Sequence, residues 1–393
     1  MSVVLVVNSG SSSFKYQLIE MTGEAVLASG VVERIGQPGS RLAHRSGEEE
    51  RVRELPIVDH SAGFALMLAE LGPALAGHTI SAVGHRVVHG GTRFVEPTIL
   101  TDEIEQQIAE LAILAPLHNP GAVQGIRAAR RAFPEVPHVA VFDTAFHQTL
   151  PPAAYTYAIN RELAAAHHVR RYGFHGTSYR FVTAAAAAFL GTAPESVNLI
   201  VLHLGNGASA AAIRGGISVE TSMGMTPLEG LVMGSRPGDI DPGVLLALHN
   251  SAGLSFDDLD ALLNRDSGML GLTGMTDMRD IVAAALDGDV AAGLALDVYA
   301  HRVRGYIGGY LAQLGHADAL VFTAGVGENS VEVRRRILSG LEPLGIRLDT
   351  ARNELRSGHA REISVDGSPI RVLVVPTNEE LEIARQSIAA ASG

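Results

Sequence analysis

Apolar runs separated by glycine-rich turns set the rhythm of this chain. Val3-Val-Leu-Val-Val7 is an unbroken β-branched run, the pattern of a short strand buried on both faces. Asn8-Ser-Gly-Ser-Ser-Ser13 supplies turn residues, and residues 14–19 alternate as a second strand. Residues 37–54 are polar and charged, a surface excursion. Residues 61–71 and 102–112 carry helical spacing, the second with acidic side chains in its first turn, where the helix dipole favours them. Further strands are predicted at 136–142, 198–204, 319–322 and 371–375. Helices are predicted at 178–190, with Ser178 as N-cap, at 290–314, and from Glu379 onward.

Strands and helices interleave, which indicates an α/β architecture. The chain also repeats itself. Leu5-Val-Val-Asn-Ser-Gly10 and Leu202-His-Leu-Gly-Asn-Gly-Ala-Ser209 each run strand, polar glycine turn, strand. Val139-Ala-Val-Phe-Asp143 and Leu320-Val-Phe-Thr-Ala-Gly325 follow in the same order, each ending a buried strand at a small or acidic residue. The halves therefore read as divergent copies, roughly 190 residues apart. Pro151 and Pro152 mark the expected boundary. It gives a first domain over 1–150 and a second over 151–393, the terminal helix packing back on the first.

Composition narrows the class. The chain has 393 residues, 47% hydrophobic and 18% charged, enough for two cores. A net charge of -12, 5% aromatics and no Trp argue against a nucleic-acid partner. The absence of Cys removes disulfides, thiolate nucleophiles and Cys-ligated zinc, and fits the cytoplasm. The run Val3 to Val7 is too short for a secretory leader, and no segment reaches membrane-spanning length.

Candidate chemistry sits in the turns. Asn8 to Lys15 combines small residues, hydroxyls and a point charge, which reads equally as a cradle for phosphate oxygens, without being a Walker loop, and as a polar hairpin turn with one exposed Lys. His203-Leu-Gly-Asn-Gly-Ala-Ser209 offers a second backbone cradle, and its Asn-Gly is equally a hairpin signal. Gly325-Val-Gly-Glu-Asn-Ser330 opens a helix and can admit a nucleotide, although capping by Asn329 or Ser330 explains it as well. In Gly84-His-Arg-Val-Val-His-Gly-Gly91 the two histidines lack a metalloprotease glutamate, and the β-branched pair favours a strand. Arg86 there has a fork suited to a carboxylate. Asp143 stands where a buried strand ends. Two glycine-rich loops, 171–178 and 234–241, hold His175 and Arg236. Arg236 with Asp239 is also readable as a structural ion pair.

Ten motifs in one order, VVNSGSSSFKYQL, GHRVVHGG, APLHNPG, VFDTAFH, RYGFHGTS, HLGNGAS, GSRPGDIDPG, TDMRDI, FTAGVGENS and PTNEELEIAR, resemble the acetate kinase family over nearly the whole chain. That family belongs to the actin, sugar-kinase and chaperone-ATPase superfamily. The resemblance implies two duplicated actin-like, ribonuclease H-like domains with a nucleotide cleft between them. It implies Mg2+ (with Mn2+ as an alternative) held by Asn8 and Glu379, and ATP or ADP served by Lys15. The nucleotide residues would be His203, Leu204, Gly205, Asn206, Gly207, Asp277, Met278, Arg279, Gly325, Val326, Gly327, Glu328 and Asn329. Arg86 would bind the substrate carboxylate, and Val88, Leu117, Phe174 and Pro227 its methyl group. His175 and Arg236 would stabilise the transition state, and Asp143 is the family's acid/base residue. A homodimer is also implied. The chain departs from the pattern at Tyr179, where a His often follows GTS, and at Pro237 before Gly238.

Physics qualifies one of these roles. A carboxylate acceptor is already ionised at neutral pH and needs no general base. Asp143 is therefore expected to orient the metal or to position a nearby cation. The resemblance favours acetate, because Val88, Leu117 and Phe174 match the acetate pattern. Propionate kinase and a non-catalytic ATP-binding switch are the alternatives, the switch having no need of an acid pocket.

Overall fold

The computed structural model describes residues 2–116 and 118–392. The chain divides into two compact units, Met1–Ala145 with Asn378–Gly393, and Phe146–Thr377.

The first unit is built on an eight-stranded sheet: β1 (Ser2–Ser9), β2 (Ser13–Glu20), β3 (Ala25–Glu33), β4 (Arg41–Ser46), β5 (Glu49–Glu54), β6 (Thr79–Val87), β7 (Thr98–Ile99) and β8 (His138–Phe142), in the order β5-β4-β3-β2-β1-β6-β8-β7. β1 to β3 pair antiparallel, whereas β1, β6 and β8 run parallel. Val3 to Val7 are at most 1% exposed, as a central strand covered on both faces requires. The polar stretch after residue 37 does more than wander over the surface. It forms β4 and β5, whose edge is lined with charge: all six residues of β5 are exposed. Charge on an edge strand blocks pairing with other chains, and it hides the strand pattern from a reading by hydrophobicity. Helix α1 (His60–Leu71) starts where Asp59 accepts from the Ala62 N–H at 2.8 Å. Thr101 caps α2 (Asp102–Glu110) in the same way. Helix α3 (Asn119–Ala132) lies against the turn after β1. A Cβ on its Gly121 would fall 2.6 Å from the Ser11 nitrogen, so only glycine lets the helix approach that turn.

The second unit carries a six-stranded sheet: β9 (Asn198–Leu204), β10 (Ala208–Arg214), β11 (Ile217–Thr221), β12 (Ala319–Thr323), β13 (Arg361–Glu362) and β14 (Arg371–Val374), in the order β11-β10-β9-β12-β14-β13. Its helices include α4 (Gly176–Leu190), α5 (Met278–Leu286), α6 (Val290–Leu314), α7 (Ala324–Asn329) and α8 (Val331–Leu338). The last helix, α9 (Glu379–Ser392), belongs to the first unit, where it packs on β6, β8 and β1.

Both sheets therefore repeat one plan. Two antiparallel strands flank a central strand, and two parallel strands follow on its other side. β1-β2 is equivalent to β9-β10, as the first repeat pair implies. The second pair needs correcting. β8 is the fifth strand of its plan and β12 the fourth, so the counterpart of β12 is β6 and that of β8 is β14. A small or acidic residue follows both β8 (Asp143) and β12 (Ala324), so their ends look alike and only the pairing order distinguishes them.

Helix α4 also begins earlier than expected. Its cap position is His175, held at φ 57, and no side chain caps it. The Ser178 hydroxyl is engaged with His203 Nδ1 at 2.9 Å instead.

Candidate active site

In the first unit, Asn8, Lys15, Arg86 and Glu379 line one cavity of about 310 Å³, together with Glu380. Asn8 and Lys15 face each other across the β1-β2 register. Arg86 projects from β6 and meets Asp143, the residue after β8. Its Nε donates to Oδ2 at 2.9 Å and to Oδ1 at 3.2 Å, and its Nη2 donates to Oδ2 at 2.7 Å. The Asp143 side chain is 2% exposed. Burial opposes the charge on Arg86, but the carboxylate outweighs it and drives the guanidinium pKa up. The carboxylate-gripping fork expected of Arg86 is thus taken, along Nε and Nη2, by the protein's own Asp143. Nη1 takes no part in that pair.

Glu379 opens α9. Burial raises its pKa, with Arg86 pulling the other way. Its Oε1 is buried and meets no hydrogen-bond partner among the described residues. An orphaned carboxylate oxygen beside an amide oxygen is a hard donor set that fits Mg2+. Val88 is half-buried just beyond β6. Leu117 lies outside the described residues.

In the second unit, the β9-β10 hairpin carries His203 to Gly207. The His203 ring stacks on His175 at 4.1 Å between centroids. The Gly234 N–H donates to the Asn206 carbonyl at 2.9 Å, docking the Arg236 loop on that hairpin. A Cβ at Gly234 would collide with Asn206 Oδ1. Arg236 is half-buried, and burial lowers its pKa. Its Nη1 touches the Met233 sulfur at 3.9 Å, and no carboxylate among the described residues pairs with it. Asp239 is committed elsewhere, to Arg302 at 3.1 Å and Tyr306 at 2.8 Å, which removes the ion pair conceived for it with Arg236. A half-buried cation without a counter-ion is a ready anion site.

A cavity of about 1030 Å³ opens beside it. Gly205, Asn206, Asp277, Met278, Arg279, Gly325, Val326 and Asn329 line it, as does Gly234. Asp277 caps α5 and is bridged by Arg279 at 2.5 Å, which lowers its pKa to about 2. Val282, Leu286 and Val331 add apolar walls, suited to a flat ring. Leu204 and Gly327 are buried behind this surface, and Gly207 approaches the His175 Nε2 side. Glu328 accepts from the Thr377 N–H at 3.1 Å, and burial raises its pKa. Phe174 is 3% exposed, and its carbonyl is held by His147 Nε2 at 2.9 Å. Pro227 lies half-buried in the loop after β11.

Several neighbours escaped the sequence reading. Tyr299 lines the large cavity with a buried hydroxyl that has no partner among the described residues. Ser209 and Tyr179 stand behind His175, and His147 props Phe174. Ser209 and His147 lie inside quoted motifs and Tyr179 directly follows one, but their partners are too distant in sequence to read. Tyr299 carries no local signal at all.

Two sheets on one plan, each with a glycine turn after its central strand, define a duplicated α/β fold. Residues 3–385 match the acetokinase family. The chain belongs to that family. It is 66% identical, over the full length of both chains, to an acetate kinase of Clavibacter michiganensis subsp. michiganensis. Its structure is similar to that of Porphyromonas gingivalis acetate kinase, with a TM-score of 0.95, 43% identity, and 99% and 100% of the two chains covered. A propionate kinase from Francisella tularensis gives a TM-score of 0.93 at 40% identity, covering 98% and 99%.

Proposed function

We infer that the protein transfers the γ-phosphoryl group of ATP reversibly to acetate, giving acetyl phosphate and ADP. The observation that carries this reading is membership of the acetokinase family across residues 3–385, with full-length relatives named for that activity. Phosphoryl transfer asks for positioning and charge stabilisation more than for proton transfer. Arg86 binds the acid through Nη1, and Asp143 holds its guanidinium in place. Arg236 and His175 stabilise the equatorial oxygens of the phosphoryl group in flight. An unpaired cation suits that task, because it breaks no ion pair when the charge arrives. The adenosine occupies the cavity lined by Asp277 to Arg279 and Gly325 to Asn329. Lys15 and the two glycine turns hold the phosphates. Mg2+, held by Asn8 and Glu379, would neutralise phosphate charge.

The family resemblance assigns contact with the methyl group of the acid to Val88, Phe174 and Pro227, as well as to Leu117. One methylene changes binding by only ~1–3 kcal/mol, so propionate is the second reading, and the Francisella likeness favours it specifically. Hydroxylamine trapping of the acyl phosphate, with ATP and Mg2+ across a series of short acids, tests both. Acetate should give the highest kcat/KM. No trapped product from any acid would refute the assignment. The same resemblance supports a homodimer, which sedimentation measures, and a cytoplasmic enzyme. No described helix is long and apolar enough to cross a membrane.

A further inference from the structure

We propose that Tyr179 and Ser209 are positioning residues that lock His175 in the tautomer carrying its proton on Nε2. Three polar atoms form a line behind the imidazole. The Tyr179 hydroxyl lies 2.6 Å from Ser209 Oγ, and Ser209 Oγ lies 2.8 Å from His175 Nδ1. Tyr179 comes from the first turn of α4, and Ser209 lies opposite His203 in the β9-β10 register. Both are 0% exposed. Burial raises the Tyr179 pKa, so its proton stays in place.

Hydrogen-bond accounting fixes the direction of the line. The structure places no other partner among the described residues on either hydroxyl. If Tyr179 donates to Ser209 and Ser209 donates to Nδ1, every proton has an acceptor. Suppose instead that Nδ1 carried the proton. Ser209 would then accept from it, and two hydroxyl protons would remain for one contact. One of them would be left in a dry interior without an acceptor, the arrangement buried groups avoid. Neutral imidazole has one proton, so excluding it from Nδ1 places it on Nε2. His175 then presents a donor from Nε2, toward the side where Gly207 of the phosphate hairpin lies. The ring plane is fixed as well, by the stack on His203.

The catalytic consequence rests on the acetokinase reading, in which His175 donates a hydrogen bond to the transferring phosphoryl group. The tautomer itself does not. The test uses the full chain labelled with 15N-histidine, with the His175 signals assigned by their loss in His175→Gln. At a pH where the ring is neutral, Nδ1 should give a pyridine-type resonance and Nε2 a pyrrole-type one. A pyrrole-type Nδ1 overturns the proposal. Ser209→Ala, which takes the hydroxyl donor away from Nδ1, should convert the signals to a tautomer mixture. Unchanged signals in that variant also overturn it. In kinetics, Ser209→Ala should lower kcat ~10-fold or more, the scale on which orienting partners of a working imidazole act, with KM for ATP and acetate within about twofold. Ser209→Thr, retaining the hydroxyl, should recover most of it. Loss confined to KM would remove the positioning role. Should the wild-type chain phosphorylate no acid while the resonances match, the functional reading fails and the tautomer stands.

Discussion

Arg86 and Asp143 are joined across neighbouring parallel strands by three hydrogen bonds, with the carboxylate almost fully buried. A carboxylate that spends both oxygens on a guanidinium is poorly placed to take a proton from an acceptor that has none to give. The pair makes Asp143 the holder of the Arg86 guanidinium, the cation proposed to bind the acid.

Replacing Asp143 should therefore harm acid binding and leave the metal alone. In Asp143→Asn the KM for acetate should rise well above tenfold, while the apparent Mg2+ affinity stays within about twofold. Titration of activity against Mg2+ at saturating acetate separates the two. A large loss of Mg2+ affinity would falsify the positioning role and return Asp143 to the metal. Asp143→Ala leaves the buried guanidinium without its partner and should destabilise the fold by roughly 3–5 kcal/mol, read from urea unfolding.

Arg236 presents the opposite case. It has no carboxylate to lose, so Arg236→Ala should unfold within about 0.5 kcal/mol of wild type. Its kcat should fall ~10³-fold or more, as when an arginine finger is removed, with a much smaller change in the KM for ATP. A change confined to KM would assign Arg236 to nucleotide binding.

Tyr299→Phe should act differently on the empty and loaded protein. Without nucleotide the change removes an unsatisfied buried hydroxyl and should leave stability equal or raise it by about 1 kcal/mol. With saturating ADP the ligand-induced rise in Tm should shrink if that hydroxyl serves the nucleotide. An identical rise in both proteins would confine Tyr299 to packing.

Acid should weaken the fold through its buried histidines. Burial lowers the His147 pKa to about 4, with Arg171 adding to it, and lowers that of His89 to about 4. The unfolded values lie near 6.5, roughly. As pH falls below that value the unfolded chain binds protons the folded chain refuses. The contribution is whole above about pH 6.5 and is lost progressively as pH drops toward 4. For His147 alone it amounts to roughly 3 kcal/mol. His147→Gln should flatten the stability-pH slope in that window by about 1.4 kcal/mol per pH unit. Urea unfolding at pH 7.5 and 5 compares the two proteins, and parallel slopes would refute the assignment.

Much of the site is legible in the sequence because its turns are local. The two glycine-rich hairpins are contiguous, and the apolar run of β1 predicts a strand buried on both faces, as found. What escapes is set by long-range pairing. Arg86 reads as a fork open to a ligand until β8 brings Asp143 beside it, 57 residues away. Ser178 reads as a helix cap until β9 delivers a buried His203 that claims its hydroxyl. The β8 and β12 segments look equivalent because their strand ends are chemically alike, and only sheet order separates them. The charged strands β4 and β5 are invisible to hydrophobic periodicity for the reason that makes them good edges.

The return of α9 to the first unit has a consequence for the order of events on the ribosome. Residues 2–145 emerge first, yet the helix that covers β1, β6 and β8 is encoded at 379–392. The first half must wait, with one face of its sheet uncovered, while all of the second half is translated. The second unit, though synthesised later, is the first whose residues are all available. Removing residues 379–392 should therefore leave the second unit able to form and strand the first as a partly collapsed intermediate, prone to aggregate.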